Sequence, residues 1–356
     1  MNRLEALLQA IEPLHAEIVG QANDHLNQLT KPQGSLGKLE DIARQVAGIT
    51  GEVMPDLSKK AVIVMAGDHG VCEEGISAFP AEVTPQMVLN FLSGGAAVNV
   101  LARHAGADVV CVDIGVNADL EHPNLVSCKV RKGTRNMARE AALSLDETVD
   151  AILAGVRIVD DLVEKGYRLF ATGEMGIGNT TASAAILCAL TGLEAGQAVG
   201  RGTGIDDATW LHKQSVVTKA LNVNGLRAEG GETSAAYGLE VLSKVGGLEI
   251  AGLVGVILGA AKHRCPVVVD GFISSTAALV ASRLAPLSAS YMLASHLSQE
   301  QGHAKLLESL GLKAMLQMDM RLGEGTGAVL VFNLIDAAGK IMREMATFDS
   351  AGVSRG

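Results

Sequence analysis

The chain has 356 residues, of which 48% are hydrophobic, 19% charged and 3% aromatic, and its formal net charge at pH 7 is -10. This length can bury a large core and corresponds to one large domain, or to a large domain with a small one. The negative charge, the lack of any Lys/Arg-rich stretch and the scarcity of aromatic rings argue against a nucleic-acid-binding protein. Five scattered cysteines without a CxxC pair indicate neither a disulfide framework nor a zinc site.

The first 50 residues have a helical pattern with one polar face and no strand signal. Glu5, Glu12 and Glu17 interrupt the apolar residues of the opening segment, which therefore indicates an amphipathic helix and not a signal peptide. A Pro/Gly turn in KPQGSLGKLE (31–40) leads into a further helix. On this basis we expect a cytoplasmic protein.

From residue 61 onward, short β-branched runs alternate with longer helical patterns. Four of these runs end in glycine: AVIVMAG (61–67), DVVCVDIG (108–115), YRLFATG (167–173) and PVVVDG (266–271). Each run is typical of a buried parallel strand that leads into a loop. The alternation predicts an α/β protein with a doubly wound, Rossmann-like parallel sheet. In such folds ligands bind beyond the carboxyl ends of the strands, where these glycine loops lie.

Directly after the first strand, Asp68 and His69 form a pair that is typical of a structural contact. A catalytic interpretation would need a serine or cysteine partner, and none stands at a readable spacing.

The clearest candidate for an anion site follows the third strand, in GEMGIGNTTASAAIL (173–187). Its three glycines let the backbone approach a ligand, and Asn179, Thr180 and Thr181 can cap the helix that follows. Free backbone amides and the helix dipole would then face a phosphate. An ordinary capped turn fits the same spacing, so both interpretations stay open here. A Walker-type loop is excluded because GxxxxGK[ST] does not occur.

Two more loops carry polar groups. VGRGTGIDD (199–207), with Lys213 shortly after it, is by itself typical of a flexible surface loop. VVVDGFISS places Asp270 and Gly271 at a strand end, where α/β enzymes place functional groups. A carboxylate there that caps the following helix is the alternative.

The apolar segment between these loops, IAGLVGVILGAA (250–261), is too short to span a bilayer. Further on, His296 in LASHLSQE is typical of a helix start beside the cap candidate Ser295.

The segment RLGEGTGA (321–328) places three glycines around one carboxylate, Glu324. A loop made only to bind phosphate would gain nothing from a second negative charge. The segment formally matches GxGxxA, but a dinucleotide-binding unit needs a following helix, a second strand and an acidic residue about 20 positions on. Only 28 residues (329–356) follow Ala328, and they have a helical pattern. The dinucleotide interpretation is therefore rejected.

The two ends of the chain are both helical. We expect residues 1–50 and the C-terminal helix, at about 329–350, to pack together as a small helical domain formed by the chain termini. Residues 51–328 would then form the α/β catalytic domain.

Seven of these segments occur in a characteristic order between about residues 25 and 345: KPQGSLGKLE, GDHGV, GEMGIGNTT, SKVGGLEIAGLVGVILGAA, VVVDGFISS, ASHLS and MRLGEGTGA. Each is weak alone. As a set they resemble the nicotinate-nucleotide–dimethylbenzimidazole phosphoribosyltransferases of cobalamin biosynthesis. The resemblance implies transfer of phosphoribose from nicotinate mononucleotide to a benzimidazole. It also implies a homodimer with a doubly wound sheet, and small-molecule substrates. No metal cluster is visible in the sequence, displacement from a pyridinium does not demand a metal, and we expect no cofactor.

The resemblance assigns roles to residues of this chain. It makes Glu324 the general base. The phosphate and ribose of the nucleotide would be bound by Glu174, Gly176, Gly178, Asn179, Thr180, Thr181, Gly202, Lys213, Gly271 and Ser295. The aromatic base would be bound by Phe79, Pro80, Met87, Met175 and Leu322.

The expected chemistry explains the carboxylate in its glycine loop. When one nitrogen of a neutral benzimidazole attacks C1′, the ring becomes cationic unless the other nitrogen loses its proton. A carboxylate that accepts this proton lowers the barrier, typically by ~10²–10⁴-fold. Nicotinate leaves from a pyridinium, so no acid is required. A non-catalytic nucleotide- or azole-binding homologue is the alternative function, although a binding protein would gain little from Glu324.

The chain departs from some family members near the expected base site. Phe79 and Met87 stand where those members have a serine and a glutamine. A more apolar pocket is implied, which leaves the identity of the preferred base open.

Overall fold

A parallel six-stranded sheet forms the centre of the protein. The computed structural model describes residues 2–202, 204–226 and 234–354. Its strands are β1 (Lys60–Gly67), β2 (Asp108–Gly115), β3 (Val126–Ser127), β4 (Leu169–Met175), β5 (Val267–Val269) and β6 (Met292–Ala294). They lie in the order β3-β2-β1-β4-β5-β6, and every neighbouring pair is parallel. The predicted doubly wound α/β fold is confirmed. The order reverses between β1 and β4, so the ligand crevice of such a sheet lies beyond the carboxyl ends of these two strands.

Helices cover both faces of the sheet. In chain order they are α1 (Asn2–Gln9), α2 (Ala16–Gln28), α3 (Lys38–Thr50), α4 (Val83–Leu92), α5 (Ala97–Ala105), α6 (Leu145–Glu164), α7 (Asn179–Thr191), α8 (Ala195–Ala198), α9 (Asp207–Val223), α10 (Ala235–Val245), α11 (Leu248–Lys262), α12 (Phe272–Leu284), α13 (His303–Leu310), α14 (Thr326–Glu344) and α15 (Phe348–Ala351). Short 3₁₀ helices occupy Gly70–Glu74 and Pro286–Tyr291. Of the helices in the described ranges, none combines the length and apolar character that a membrane span requires.

The central strand shows why the predicted strands are continuous apolar runs. Every residue of β1 is buried. Ile63 and its alternate neighbours face the core that contains α6, α7, α11 and α12, whereas Val62 and Val64 face the core that contains α3, α5 and α14. A strand covered on both faces has no polar side, which removes the two-residue alternation of a half-exposed strand.

The strand predictions differ from the structure at the sheet edges. The four predicted strands are all present, within one to three residues at most ends. The two edge strands, β3 and β6, were not predicted because they contain only two and three residues, too few to form a pattern. The C-terminal helix also begins earlier and ends earlier than predicted, at Thr326 and Glu344.

The two ends of the chain meet on one face of the sheet. Nε2 of His25 in α2 lies 2.8 Å from the Met342 carbonyl oxygen in α14. Leu29 forms an antiparallel bridge with Thr347. α1 contacts α11 instead, and its Leu4 joins the core on the other face. The division into a terminal helical domain (1–50 with 329–350) and an α/β domain (51–328) stays a prediction.

Two helices of the buried layer touch through their backbones. A Cβ on Gly155 of α6 would lie 2.0 Å from the Gly252 carbonyl oxygen of α11, and a Cβ on Gly255 would lie 1.9 Å from the Ile152 carbonyl oxygen. Glycines at these positions therefore allow α11, the predicted apolar segment, to pack closely against α6.

We expect Gly255→Ala to lower the free energy of unfolding by about 1–3 kcal/mol, because the added methyl group forces the two backbones apart. Gly20→Ala is the matched control: Gly20 is exposed in α2, and a Cβ there meets nothing within 4 Å. The control should raise the unfolding free energy by about 0.4–1 kcal/mol. Urea unfolding of both variants measures the difference. Equal stability of the two variants would contradict the close helix contact.

Candidate active site

A cavity of about 760 Å³ lies where the segments that follow β1, β4, β5 and β6 converge. Most of the predicted site residues line it: Phe79, Met87, Glu174, Met175, Gly176, Gly178, Asn179, Thr180, Gly202, Lys213, Gly271, Leu322 and Glu324. A smaller cavity of about 570 Å³, beside Lys60 at the amino-terminal end of the sheet, contains none of them. The sheet thus gathers residues that are far apart in sequence into one site.

Three predicted site residues do not line this cavity. Pro80 is exposed, Thr181 is buried within α7, and Ser295 is buried behind the cavity surface. A serine on the cavity surface is Ser298, three residues after Ser295. The binding roles of Pro80, Thr181 and Ser295 remain predictions.

The backbone of the RLGEGTGA loop is unusual at its carboxylate. Gly323, Glu324 and Gly325 all have positive φ, at 82°, 64° and 93°. A non-glycine residue seldom adopts this left-handed conformation, and such residues are concentrated at functional sites. The loop also lies against β4, where a Cβ on Gly173 would stand 2.4 Å from the Glu324 carbonyl oxygen. The flanking glycines thus permit a conformation and a close approach that fix the position of Glu324.

Asp270 holds this loop in place. Its carboxylate accepts hydrogen bonds from the backbone N–H groups of Gly325 (3.2 Å) and Ala328 (2.9 Å). Asp270 therefore caps α14, which is distant in sequence. The alternative, a cap on the helix that follows Asp270, stays a prediction: Gly271 at the start of α12 has no side chain to cap it, and its backbone N–H also donates to Asp270. Burial raises the pKa of Asp270.

The Glu324 carboxyl group is buried, and one of its oxygens is left without a partner. Burial raises the pKa of Glu324, the backbone N–H of Val98 lowers it, and the nearby Asp270 raises it further. Val98 belongs to the first turn of α5, whose dipole favours a carboxylate. Oε2 has no hydrogen-bond partner among the described residues. Glu324 thus presents an oriented carboxylate with a free acceptor and a raised pKa.

A second acidic residue, Glu174, lies at the end of β4 beside this loop. Burial, together with Asp270 and Glu249, raises the pKa of Glu174 to about 8. The Asn179 side chain donates a hydrogen bond to Oε2 of Glu174. At pH 7 Glu174 therefore mostly retains its proton, which reduces the negative charge beside Glu324.

The other half of the cavity surrounds the amino terminus of α7. The helix begins after Gly178, which has a φ of 96° and provides no side-chain cap. The expectation that Asn179, Thr180 and Thr181 cap this helix is wrong, because Asn179 bonds Glu174 and Thr180 accepts from Lys213. In the described part of the chain, the backbone N–H groups of Gly178 and Thr180 have no acceptor. Free amides at a helix amino terminus are suited to an anion.

Lys213 supplies a cation to the same half. It is buried, and its Nζ donates to Thr180 Oγ1 at 2.7 Å. Burial lowers the pKa of Lys213 to about 8, although Glu300 opposes this effect. A Cβ on Gly202 would lie 3.1 Å from Nζ, so the second glycine loop lies against the lysine. Thr203 of this loop is outside the described residues.

His296 and Ser295 lie at the end of β6. The expectation of a helix start there is wrong, because His296 forms a parallel bridge with Leu316 and the next helix begins at His303. His296 lines the cavity. Ser295 Oγ donates to the Asp270 carbonyl oxygen at 3.0 Å, which places this serine in the support beneath the site.

The Asp68–His69 pair also lies beneath the cavity. His69 Nε2 is 2.6 Å from Glu249 Oε1, and Asp68 accepts from the Asn117 backbone N–H at 2.7 Å. Burial alone would lower the pKa of His69, but Glu249 and Asp68 raise it on balance. Neither member of the pair lines the cavity.

Several cavity-lining residues were not predicted from the sequence: Ile76, Ser77, Val83, Ile177, Phe272, Ile273, Ser298, Glu300, Arg321 and Gly323. Most lie within a few positions of predicted residues, so a prediction that extended each loop slightly would have included them. Glu300 carried no such signal, because SQE has the composition of an ordinary helix start.

Comparison with known proteins identifies relatives over the full length. A family profile described as phosphoribosyltransferase matches residues 11–353. The nicotinate-nucleotide–dimethylbenzimidazole phosphoribosyltransferase of Desulforamulus reducens is 55% identical over 358 residues, and the alignment covers 100% of each chain. That of Chloroflexus aggregans is 54% identical, with 99% of each chain covered. The crystal structure of the Thermus thermophilus enzyme of this name superposes with a TM-score of 0.89 at 44% identity, covering 96% of this chain and 100% of the other.

We expect Asp270→Asn to loosen the Glu324 loop. Oδ2 of Asp270 accepts the Gly325 N–H and Oδ1 accepts the Ala328 N–H, whereas asparagine offers only one oxygen. The loss should be about 1–3 kcal/mol of stability, with faster amide exchange at residues 323–328. Asp24→Asn, on the exposed surface of α2, is the control. Unchanged exchange in this segment would show that Asp270 does not hold the loop.

Proposed function

The chain belongs to the nicotinate-nucleotide–dimethylbenzimidazole phosphoribosyltransferase family, and from this membership we propose the reaction that it catalyses. It transfers the 5-phosphoribosyl group of nicotinate mononucleotide to 5,6-dimethylbenzimidazole or a related azole base. The products are α-ribazole 5′-phosphate and nicotinate, and the former supplies the lower ligand of cobalamin. Relatives named for this activity are 50–55% identical to the chain over nearly its whole length.

The observation that carries the proposal is the unpartnered oxygen of Glu324 in a cavity whose other half suits an anion. The azole loses a proton as it attacks C1′, and Glu324 Oε2 is free to accept it. Burial raises the pKa of Glu324, which makes this carboxylate a stronger base than one in water. Its charge also stabilises the positive charge that develops on the ribose and azole.

The phosphate group of the nucleotide would bind at the start of α7. The free N–H groups of Gly178 and Thr180 and the ammonium group of Lys213 support this placement. We retain Glu174, Gly176, Asn179, Thr181, Gly202, Gly271 and Ser295 as proposed members of the nucleotide site.

The azole would bind on the apolar side of the cavity. Phe79, Met87, Met175 and Leu322 all line it, and Phe79 and Leu322 remain 53% and 58% exposed. A flat apolar base would cover these two side chains and remove apolar surface from water. Pro80 stays a proposed contact at the rim.

The remaining proposals concern assembly and location. We propose a homodimer in the cytoplasm, on the strength of the family resemblance. The alternative function, a non-catalytic nucleotide- or azole-binding protein, gains no support from the named relatives, and it leaves the free carboxylate of Glu324 without a purpose.

Glu324→Gln should retain the fold and lose turnover by about 10²-fold or more, because glutamine keeps the shape but cannot accept the ring proton. The assay incubates the protein with nicotinate mononucleotide and 5,6-dimethylbenzimidazole and measures α-ribazole phosphate. Glu308→Gln makes the same change at an exposed position of α13 and should have no effect. Turnover near that of the wild type in Glu324→Gln would refute the assignment of the base.

Lys213→Ala should raise the KM for the nucleotide by about 10–100-fold and leave the KM for the azole nearly unchanged, because a charge-assisted hydrogen bond to phosphate is lost. Since the pKa of Lys213 is about 8, the wild-type enzyme loses this charge as pH rises. Its nucleotide KM should therefore rise above about pH 8, and the variant should lack this rise.

The exposed Lys219, on the same helix as Lys213, provides the control substitution Lys219→Ala. Nicotinate riboside, which has no phosphate, should be a far poorer substrate than the nucleotide. Equal use of riboside and nucleotide would show that these groups do not bind phosphate.

The azole site should accept benzimidazole, methylated benzimidazoles and adenine to differing degrees. Its apolar side chains are adaptable, and one methyl group changes binding in such a pocket by only about 1–3 kcal/mol. Competition between equimolar bases measures the ratios of kcat/KM. Strict exclusion of every base except 5,6-dimethylbenzimidazole would contradict the loose pocket and leave the reaction assignment intact.

A further inference from the structure

His296 is a buried histidine that lines the cavity and to which neither the sequence nor the reaction described above assigns a role. One side of its ring packs against the start of α14, where a Cβ on Gly327 would lie 2.0 Å from Nδ1. The other side borders Gly271, where a Cβ would lie 3.8 Å from Nε2. His296 therefore stands between the Glu324 loop and the cavity surface that follows β5.

Its hydrogen bonds fix which ring nitrogen carries the proton. Ser295 Oγ donates its only hydrogen to the Asp270 carbonyl oxygen, at 3.0 Å. The same oxygen lies 3.0 Å from His296 Nδ1, so in that contact it can only accept. Asp270 Oδ1, which is 3.9 Å from Nδ1, also favours a hydrogen on this nitrogen. Nδ1 therefore carries the hydrogen in the neutral ring, and Nε2 is left as an acceptor with a lone pair.

Nε2 has no hydrogen-bond donor in the part of the chain that the structure describes. Because His296 lines the cavity, water or a bound ligand can satisfy this acceptor. A ligand that displaces water from Nε2 keeps this atom satisfied only if it offers a hydrogen-bond donor there.

The chemistry of the two proposed substrates limits the choice of donor. The ionised phosphate and carboxylate of nicotinate mononucleotide only accept hydrogen bonds, and its pyridinium ring has no N–H. The azole N–H is the proton that Glu324 removes. Only the hydroxyl groups of the ribose remain as donors.

We propose that His296 Nε2 accepts a hydrogen bond from a ribose hydroxyl group of the nucleotide, and so fixes the rotation of the sugar relative to Glu324. This inference rests on the proposed function. It makes His296 a substrate-binding residue that selects the nucleotide over the analogue that lacks the bound hydroxyl group. Ser295 and Asp270 act through it as positioning residues, because they set its tautomer.

The test combines a change in the enzyme with a change in the substrate. His296→Leu removes the acceptor at similar volume, and His296→Gln retains a polar group that can accept. Each variant and the wild type are assayed with nicotinate mononucleotide and with its 2′-deoxy and 3′-deoxy analogues, which separate the two hydroxyl groups. A missing hydroxyl group also changes the intrinsic reactivity of C1′. This effect is the same for the wild type and both variants, so it cancels when the kcat/KM of a variant is divided by that of the wild type for the same nucleotide.

We expect His296→Leu to lose about 10-fold in kcat/KM with the natural nucleotide, and His296→Gln to lose less. With one of the two deoxy analogues, His296→Leu should lose nothing relative to the wild type, because the hydrogen bond is already absent. Equal losses with all three nucleotides would overturn the proposal. So would a loss confined to the KM for the azole, which would place His296 at the base.

Calorimetric binding of the three nucleotides provides a readout that does not depend on turnover. The same ratios should then appear in Kd. If the wild-type protein bound the nucleotides in this pattern but formed no α-ribazole phosphate, the reaction assignment would fail and the assignment of His296 would stand. Identical changes in Kd for all three nucleotides would overturn the assignment of His296 regardless of activity.

Discussion

The buried carboxylate of Asp270 holds the candidate active site together. It lies at the end of β5 and accepts the N–H groups of Gly325 and Ala328, so it joins the sheet to the amino terminus of α14. The left-handed conformation of Glu324 is energetically unfavourable for a non-glycine residue, and it persists only where surrounding contacts determine the backbone. Asp270 provides such contacts, and Gly173 provides the space in which the loop reaches the sheet. The orientation of Glu324 follows from both.

Burial sets the charges of the site. It moves the pKa of Glu174 and that of Lys213 toward each other, to about 8 in both cases. Near neutral pH the mostly protonated Glu174 adds little negative charge beside Glu324, and Lys213 is still mostly charged. The cavity thereby has a basic carboxylate in one half and a cation with free amides in the other. This separation corresponds to a substrate with an anionic phosphate at one end and a reacting centre that gains positive charge at the other.

The sequence was sufficient for the features that depend on local pattern and insufficient for those that depend on distant contacts. β1, β2, β4 and β5 are continuous apolar runs because both sheet faces are covered. β3 is too short to show any pattern. The proposed site residues follow the same division. Glu324 and Lys213 stand in or near glycine-rich segments that the resemblance identified, and the structure places both in one cavity. The Gly325 partner of Asp270 is 55 residues away, and no sequence period connects the two. His296 likewise gains its position from a bridge to Leu316 and not from a local helix start.

The length of α14 has a consequence for how the molecule transmits displacement. The helix contains 19 residues and is therefore about 28 Å long. Its first turn is fixed to Asp270 beside Glu324, and its last turn contacts His25 of α2 through Met342. Because a hydrogen-bonded helix resists bending, α14 is a rigid connection between these two contacts. None of the described residues in the range 2–50 lines the cavity, yet their packing against α14 connects them to the helix whose first turn is held beside Glu324.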